Sequence, residues 1–189
     1  MYIISGNKKG RKVLTPKRDF RPTQSKVREA FFNIVNAEGK NLLDLCSGSG
    51  AIAFEALSRN AKHATLVEID REAVKTIFIN AKAIFDNDNS LYKVKRISAL
   101  DYVKRTNDKF DIIYFDPPYH SNIYFDCLNA VIERKLLNDD GVLAAEFGDD
   151  YYKAFLEKEN FKNLIKDIMH YDVKSYGESI LVILKYIKN

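Results

Sequence analysis

Asn41-Leu-Leu-Asp-Leu45 runs into Cys46-Ser-Gly-Ser-Gly50 and then into Ala51-Ile-Ala-Phe-Glu-Ala-Leu-Ser-Arg-Asn60. A short apolar run, a glycine-bearing turn and apolar residues at helical spacing together read as strand, tight turn and helix. The alternation continues downstream. Strands are predicted at Asn41–Leu45, Ala64–Ile69, Tyr92–Ile97, Phe110–Phe115 and Gly141–Phe147, with helices at about 51–60, 71–85, 99–105 and 123–136. Strands alternating with helices of this length predict a parallel sheet with helices on both faces, a doubly wound, Rossmann-like α/β domain. Phe110-Asp-Ile-Ile-Tyr-Phe115 is almost wholly apolar, which suits a central strand covered on both sides. The chain then predicts a helix near 151–158 and strands near 163–170 and 179–186. Ser175-Tyr-Gly-Glu178 turns between these strands, so an antiparallel pair should close the sheet edge.

Upstream of Asn41, residues 2–5 and 12–14 read as two short strands joined through Gly6-Asn-Lys-Lys-Gly10. Arg21-Pro-Thr-Gln-Ser25 opens a helix, with Thr23 or Ser25 as its N-cap. Within it Val27, Ala30, Phe31, Ile34 and Val35 form one apolar face. The 189 residues fit one domain: a basic arm over 1–24, and a helix plus α/β core over 25–189. Apolar residues make up 46% and charged residues 30%, the balance of an ordinary globular protein. No apolar run approaches the ~20 residues of a membrane span, and Met1-Tyr-Ile-Ile-Ser5 does not have the layout of a secretion signal. Cys46 and Cys127 read as reduced thiols, so a cytoplasmic protein is expected.

Charge is unevenly placed. Residues 1–28 hold nine basic side chains against the single acid Asp19, a net +8, while the whole chain carries +4. The body beyond residue 28 is therefore mildly acidic. A basic arm on an acidic body points to a polyanionic partner, or else to a solvated lysine-rich terminus.

Three segments carry the chemistry. Asp44-Leu-Cys-Ser-Gly48-Ser-Gly50 ends the first strand, where glycines let a ligand approach the backbone. Glu68, in Thr65-Leu-Val-Glu-Ile-Asp70, follows Gly48 by twenty residues, the spacing at which an acid meets ribose hydroxyls in nucleoside-binding α/β folds. Together they indicate an adenosine-type cofactor, either a dinucleotide or S-adenosylmethionine. Phe115-Asp116-Pro-Pro-Tyr119 ends the fourth strand. If the strand order reverses between the first and fourth strands, Gly48–Gly50 and Asp116–Tyr119 face each other across one crevice. Asp116 and the Pro117 carbonyl can accept the two N–H bonds of a planar amine. Pro118 stiffens the turn, and Tyr119 stacks on the base.

Asp116-Pro-Pro-Tyr119 with Asp44-x-x-x-Gly48-x-Gly50 resembles the class I S-adenosylmethionine-dependent amino-methyltransferases. Ser5-Gly6, Gly10-Arg-Lys12, Arg21-Pro-Thr23, Val27-Arg-Glu-Ala30, Phe32-Asn33, Glu55-Ala-Leu-Ser-Arg59 and Tyr176-Gly177 narrow the match. With them the chain resembles, over nearly its whole length, the bacterial family that methylates guanine N2 in 16S ribosomal RNA. The resemblance implies S-adenosylmethionine held by Asp44, Ser47, Gly48, Gly50, Glu68, Ile69, Ser98 and Ala99. It implies catalysis by Asp116, Pro117, Pro118 and Tyr119. Its substrate would be naked RNA or a partly assembled small ribosomal subunit, met by Lys8, Lys9, Arg11, Arg18, Arg21 and Arg28, with the enzyme acting as a monomer. Two positions depart from the family. Cys46-Ser47 replaces the usual Phe-Ala, and Ser98 stands where an Asp usually meets the adenine amine, leaving Ser98 or Asp101 to make that contact.

Other readings use the same motifs. A DNA adenine-N6 methyltransferase has the same loop but brings extra sequence for target recognition, and a protein glutamine methyltransferase carries Asn in place of Asp116. A catalytically silent RNA-binding or assembly factor would not need an intact Asp116-Pro-Pro-Tyr119. A dehydrogenase would need a third glycine after Gly50. His63, His120 and His170 are scattered and make no metal-ligand set, and Arg59 reads as structural.

Overall fold

Among the described residues, β1 (Asn41–Leu45) is an interior strand, next to the central one, of a seven-stranded sheet of order β3-β2-β1-β4-β5-β7-β6. The computed structural model describes residues 1–16, 25–118, 121–156, 162–163, 165–166 and 169–187. After α1 (Ser25–Ile34) and β1 come α2 (Ala51–Ser58), β2 (His63–Val67), α3 (Arg71–Phe85), β3 (Tyr92–Lys95) and α4 (Ala99–Arg105). They are followed by β4 (Phe110–Phe115), α5 (Ile123–Glu133), β5 (Leu137–Gly148), α6 (Asp149–Leu156), β6 (Met169–Tyr176) and β7 (Ser179–Tyr186). β1 pairs in parallel with β2 on one side and β4 on the other, so the order reverses between the first and fourth strands, where a crevice is expected. β7 pairs antiparallel with both β5 and β6.

Strand alternation splits the interior into two cores. Leu42, Leu66, Ile112, Tyr114 and Ala144 face α1, α2 and α3. Leu43, Leu45, Val67, Ile113, Phe115 and Ala145 face α4 and α5. Phe31 of α1 meets Tyr114 edge-on at 4.9 Å, seating that helix on the first face.

Residues 2–14 form the expected hairpin, with Tyr2 bridged antiparallel to Lys12. It docks on the first face, where Ile3 and Val13 join the core. Glu55, fully buried in α2, accepts the Ile4 and Ser5 N–H groups at 2.7 and 3.0 Å. Gly6 has φ +84°, and a Cβ there would lie 1.8 Å from the Ser58 carbonyl oxygen, so only glycine allows this approach. Asn80 of α3, also buried, receives the Leu14 N–H at 2.8 Å and donates to Leu14 O at 2.9 Å and Ser49 O at 3.0 Å. One side chain thus ties the end of the hairpin to the glycine turn.

The structure moves one strand and trims others. The strand expected near 163–170 is β6 at Met169–Tyr176, turning through Gly177 at φ +64°. β6 is a largely exposed edge strand, so no buried face imposes an alternation that would mark its start. β2 ends at Val67 and β3 at Lys95, two residues short of expectation, while β5 starts earlier, at Leu137. α1 starts at Ser25, and Thr23 lies outside the described residues. Among the described residues no helix is long and apolar enough to cross a membrane.

Candidate active site

Four neighbouring parallel strands each deliver an acid to the carboxyl edge of the sheet, in the spatial order Glu68 (β2), Asp44 (β1), Asp116 (β4) and Glu146 (β5). Asp44 and Glu146 lie on the face shared with Leu42, Tyr114 and Ala144, the face that also carries the hairpin. All four line one cavity of about 590 Å³, within the roughly 300–1,000 Å³ of small-molecule sites.

The glycine turn forms one wall. Ser47 N–H donates to Val67 O at 3.0 Å and Gly50 N–H to Ser47 O at 2.8 Å. The Ser47 hydroxyl lies 2.7 Å from Asp44 O and 3.1 Å from Val67 O. Glu68 anchors the turn from β2. Its Oε2 accepts the Gly48 N–H at 2.8 Å, and its Oε1 accepts the N–H groups of Ile69 and Asp70 at 2.8 and 2.9 Å. Those last two bonds satisfy backbone donors just past β2, after the Glu68 N–H has bonded Lys95 O at 3.0 Å. Gly50 does not line the cavity. At φ +79° it stands behind the wall, where a Cβ would meet the Phe54 ring at 2.6 Å, so it serves helix–strand packing. Cys46 lines the cavity at φ +64°, a left-handed conformation unusual for a side-chain-bearing residue.

Asp44 is 2% exposed and accepts the Ala53 N–H at 3.3 Å. Burial pushes its carboxyl up to about 7, an effect the Ala53 bond opposes and the Glu68 charge reinforces. A cation brought against Asp44 would favour its ionised form and pair with it. The adenine side is apolar, with Val67, Ile69, Ile97 and Ala99 in the lining. Ile69 is 63% exposed, an apolar side chain that a flat ring would cover. Ser98 lines this side too, while its hydroxyl caps α4, accepting the Asp101 N–H at 3.0 Å and donating to the Asp101 carboxylate at 2.7 Å. Asp101 is not in the lining; it is 3.5 Å from Arg105. A ribose acceptor, an apolar slot and buried acids for a cation fit an adenosyl sulfonium.

The opposite wall is Asp116, Pro117 and Pro118, with Ile123, Tyr114 and Glu146. Tyr119 lies outside the described residues. Asp116 N–H donates to Leu45 O at 3.3 Å, fixing the start of the loop to β1. Tyr124 of α5 places its hydroxyl 2.8 Å from Glu146 O and 3.4 Å from Pro117 O. The Tyr114 hydroxyl donates to Glu146 Oε2 at 2.9 Å, with both groups buried. Burial, and then the neighbouring Glu146 charge, hold the Tyr114 phenol well above its ordinary range, so it stays a donor.

Sequence reasoning missed Tyr114, Glu146, Thr15 and Pro16 in the wall, and Asn80 behind it. A polar residue at an apolar strand position (Tyr114, Glu146) or on an apolar helix face (Asn80) was the available signal.

The basic residues divide. Lys9, Arg11 and Lys12 are exposed on the hairpin. Arg11 donates to the Ala83 carbonyl, and half-buried Lys8 places its ammonium 5.7 Å from the Phe85 ring centre. Arg18 and Arg21 lie outside the described residues. Arg28 is corrected: it is 0% exposed, its guanidinium donating to Tyr2 O at 2.7 Å and meeting Met1 Sδ at 3.0 Å and Glu55 at 3.7 Å. It faces the buried acid of α2 rather than solvent, so it holds the hairpin and cannot reach a phosphate. Arg59 is structural as expected, 2.8 Å from Glu55 and over the Phe32 ring.

Comparison with known proteins agrees with this geometry. Residues 1–185 match the family described as conserved hypothetical protein 95. The ribosomal RNA small subunit methyltransferase D of Buchnera aphidicola is 35% identical over 152 residues, 77% of each chain. Its Escherichia coli K12 counterpart is 37% identical over 150 residues, covering 76% of this chain and 73% of that one. The solved structure of a putative methyltransferase from Escherichia coli superposes with a TM-score of 0.82 at 25% identity, covering 100% of this chain and 99% of that one. With the glycine turn and the Asp-Pro-Pro loop facing each other across the strand-order reversal of such a sheet, the chain belongs to the conserved hypothetical protein 95 family of class I S-adenosylmethionine-dependent methyltransferases.

Proposed function

We propose that the protein methylates the exocyclic N2 amine of a guanine in 16S ribosomal RNA, acting in the cytoplasm as a monomer on naked RNA or a partly assembled small subunit. The observation that carries the reading is the placement of Asp116 and the Pro117 carbonyl in one cavity with the glycine turn and Glu68. One chain supplies both walls, which supports action as a single copy.

Glu68 would take the ribose hydroxyls, Ile69 and Ile97 the adenine faces, and Ser47, Gly48, Ser98 and Ala99 the surrounding wall. Asp44 and Asp116 would face the cationic end. When bound, S-adenosylmethionine supplies a methyl group already activated on a sulfonium. The protein's task is then alignment and charge. Guanine N2 is a weak nucleophile because its lone pair is delocalised into the ring. Asp116 and the Pro117 carbonyl accept its two N–H bonds, which favours a geometry with the lone pair directed across the cavity. Among the described residues Pro117 O meets the Tyr124 hydroxyl at a long 3.4 Å, which leaves it acceptor capacity for the amine. The Asp116 carboxylate offsets positive charge growing on nitrogen and is placed to hold the departing proton. The base must leave its stack to enter, which is cheapest in an open or looped RNA strand.

Lys8, Lys9 and Arg11, with Arg18 and Arg21, would meet phosphates. Lys8 and Arg11 meet Phe85 and Ala83 at the C-terminal end of α3, the sheet edge opposite the cavity, so a phosphate backbone held there would grip the RNA at a distance from the reacting base. The test is to map a labelled methyl group on RNA from a strain lacking the gene, offered as naked RNA and as small subunits. Label on a guanine N2 is expected. Label on an adenine N6, on DNA or on protein would overturn the reading.

A further inference from the structure

We propose that Glu146 is the residue that selects guanine, by accepting the base N1–H beside the amine held at Asp116. This rests on the guanine-N2 reading above and adds how the same site tells bases apart. Tyr114 pairs with Ala144 across β4 and β5, so Asp116, just past the end of β4, and Glu146 of β5, each two residues further on, come level on neighbouring strands. Both line the cavity. Glu146 is only 3% exposed, yet it keeps a carboxylate where a neutral residue would avoid a large desolvation cost. Its aim is set from two directions. Tyr114 holds Oε2 at 2.9 Å, and the Tyr124 hydroxyl lies between the Glu146 and Pro117 carbonyls at 2.8 and 3.4 Å. The acceptor for the amine and the neighbouring carboxylate are thereby referenced to one buried hydroxyl. A carboxylate offers about four lone-pair positions over its two oxygens, so it can accept the N1–H alongside the partners it already has.

The bases differ at the atom next to the amine. Guanine presents a donor there, N1–H beside N2. Adenine presents an acceptor, N1 beside N6, and cytosine likewise presents N3 beside N4. In the proposed orientation the amine's other ring neighbour, the acceptor N3, points away and N1 faces Glu146 on β5. A carboxylate there welcomes guanine and opposes a lone pair from the other two amine-bearing bases.

The test uses two RNA substrates, one with guanine and one with 2-aminopurine at the target position. 2-Aminopurine keeps the amine but turns N1 into an acceptor. The intact protein with labelled S-adenosylmethionine should favour guanine by at least about a hundredfold in kcat/KM. Glu146→Gln presents a carboxamide that can donate to N1, so the preference should shrink to within about tenfold. Tyr114→Phe, which removes one of the bonds that aim the carboxylate, should narrow it in the same direction and reads the proposal if the first variant folds poorly. A purely structural role would lower both substrates together and leave their ratio unchanged, and that result overturns the proposal. So does equal use of both RNAs by the unaltered protein. No transfer to the guanine RNA at all is a separate outcome, which overturns the substrate reading on which the proposal stands.

Discussion

The acids at the two ends of the row are held by different means. Glu68, on the cofactor side, is fixed by three backbone N–H groups, from Gly48, Ile69 and Asp70. Glu146, on the target side, has its carboxylate fixed by the Tyr114 hydroxyl, a side chain 32 residues away. Backbone donors come with the turn itself and do not depend on which side chains surround it. A side-chain donor can be removed by one substitution without disturbing the chain path. The cofactor end is therefore rigid by construction, while the target end can be retuned residue by residue.

The largest effect expected from this contrast is at Asp116. Asp116→Ala should lower methyl transfer by about a hundredfold or more, the scale of losing one preorganised electrostatic partner. Binding of S-adenosylmethionine, measured by calorimetry, should change little. A parallel loss of cofactor affinity would erase the division into two ends. Glu68→Ala should do the reverse, weakening cofactor affinity by roughly 1.5–3 kcal/mol, the worth of hydrogen bonds to a charged group. Unchanged affinity in calorimetry would place the ribose contact elsewhere.

Asp44 sharpens the contrast through pH. Its folded value, about 7, lies above the ordinary 3.8, so the folded state holds the proton more tightly than the unfolded chain. Stability from this group is fully present below about pH 4 and is lost as pH rises toward 7, at up to about 1.4 kcal/mol per pH unit. Asp44→Asn should remove that slope. Denaturant unfolding at pH 5 and pH 7 reads it, and equal slopes in the two proteins would mean that Asp44 is charged throughout.

The smallest effect belongs to the hairpin, outside the cavity. Replacing Lys9 and Arg11 by Gln should weaken RNA binding and flatten its log–log salt dependence by roughly 0.7–0.9 for each phosphate no longer neutralised. Cofactor affinity should stay the same. An unaltered slope would make the exposed charges only a solvated surface.

What can be read from the sequence follows the same division. β1, α3, α4 and β4 fall at their expected bounds because glycines, caps and apolar runs that define them are local. Asp44, Gly48 and Glu68 can be found because a turn and a fixed spacing of twenty residues connect them. Tyr114 and Glu146 cannot be paired from the sequence, since their contact depends on β4 and β5 being neighbours in register. Arg28 misleads for a similar reason. In a basic segment it counts as surface charge, and only the docking of α2 reveals Glu55 beneath it. β6 starts later than expected because its outer faces are solvated and its start is set by pairing with β7.

The hairpin's anchors have a consequence for how the chain is made. Ile4 and Ser5 depend on Glu55, Asn7 and Lys8 on Ser58, and Leu14 on Asn80. Residues 3–14 are synthesised before any of these partners, and no docked hairpin can exist until α3 has emerged and folded. Vectorial synthesis thus makes a segment that leaves the ribosome first wait for helices made well after it before it takes its native place. A nascent chain carrying exposed basic residues waits for about seventy further residues, beside the very class of polyanion it is proposed to bind.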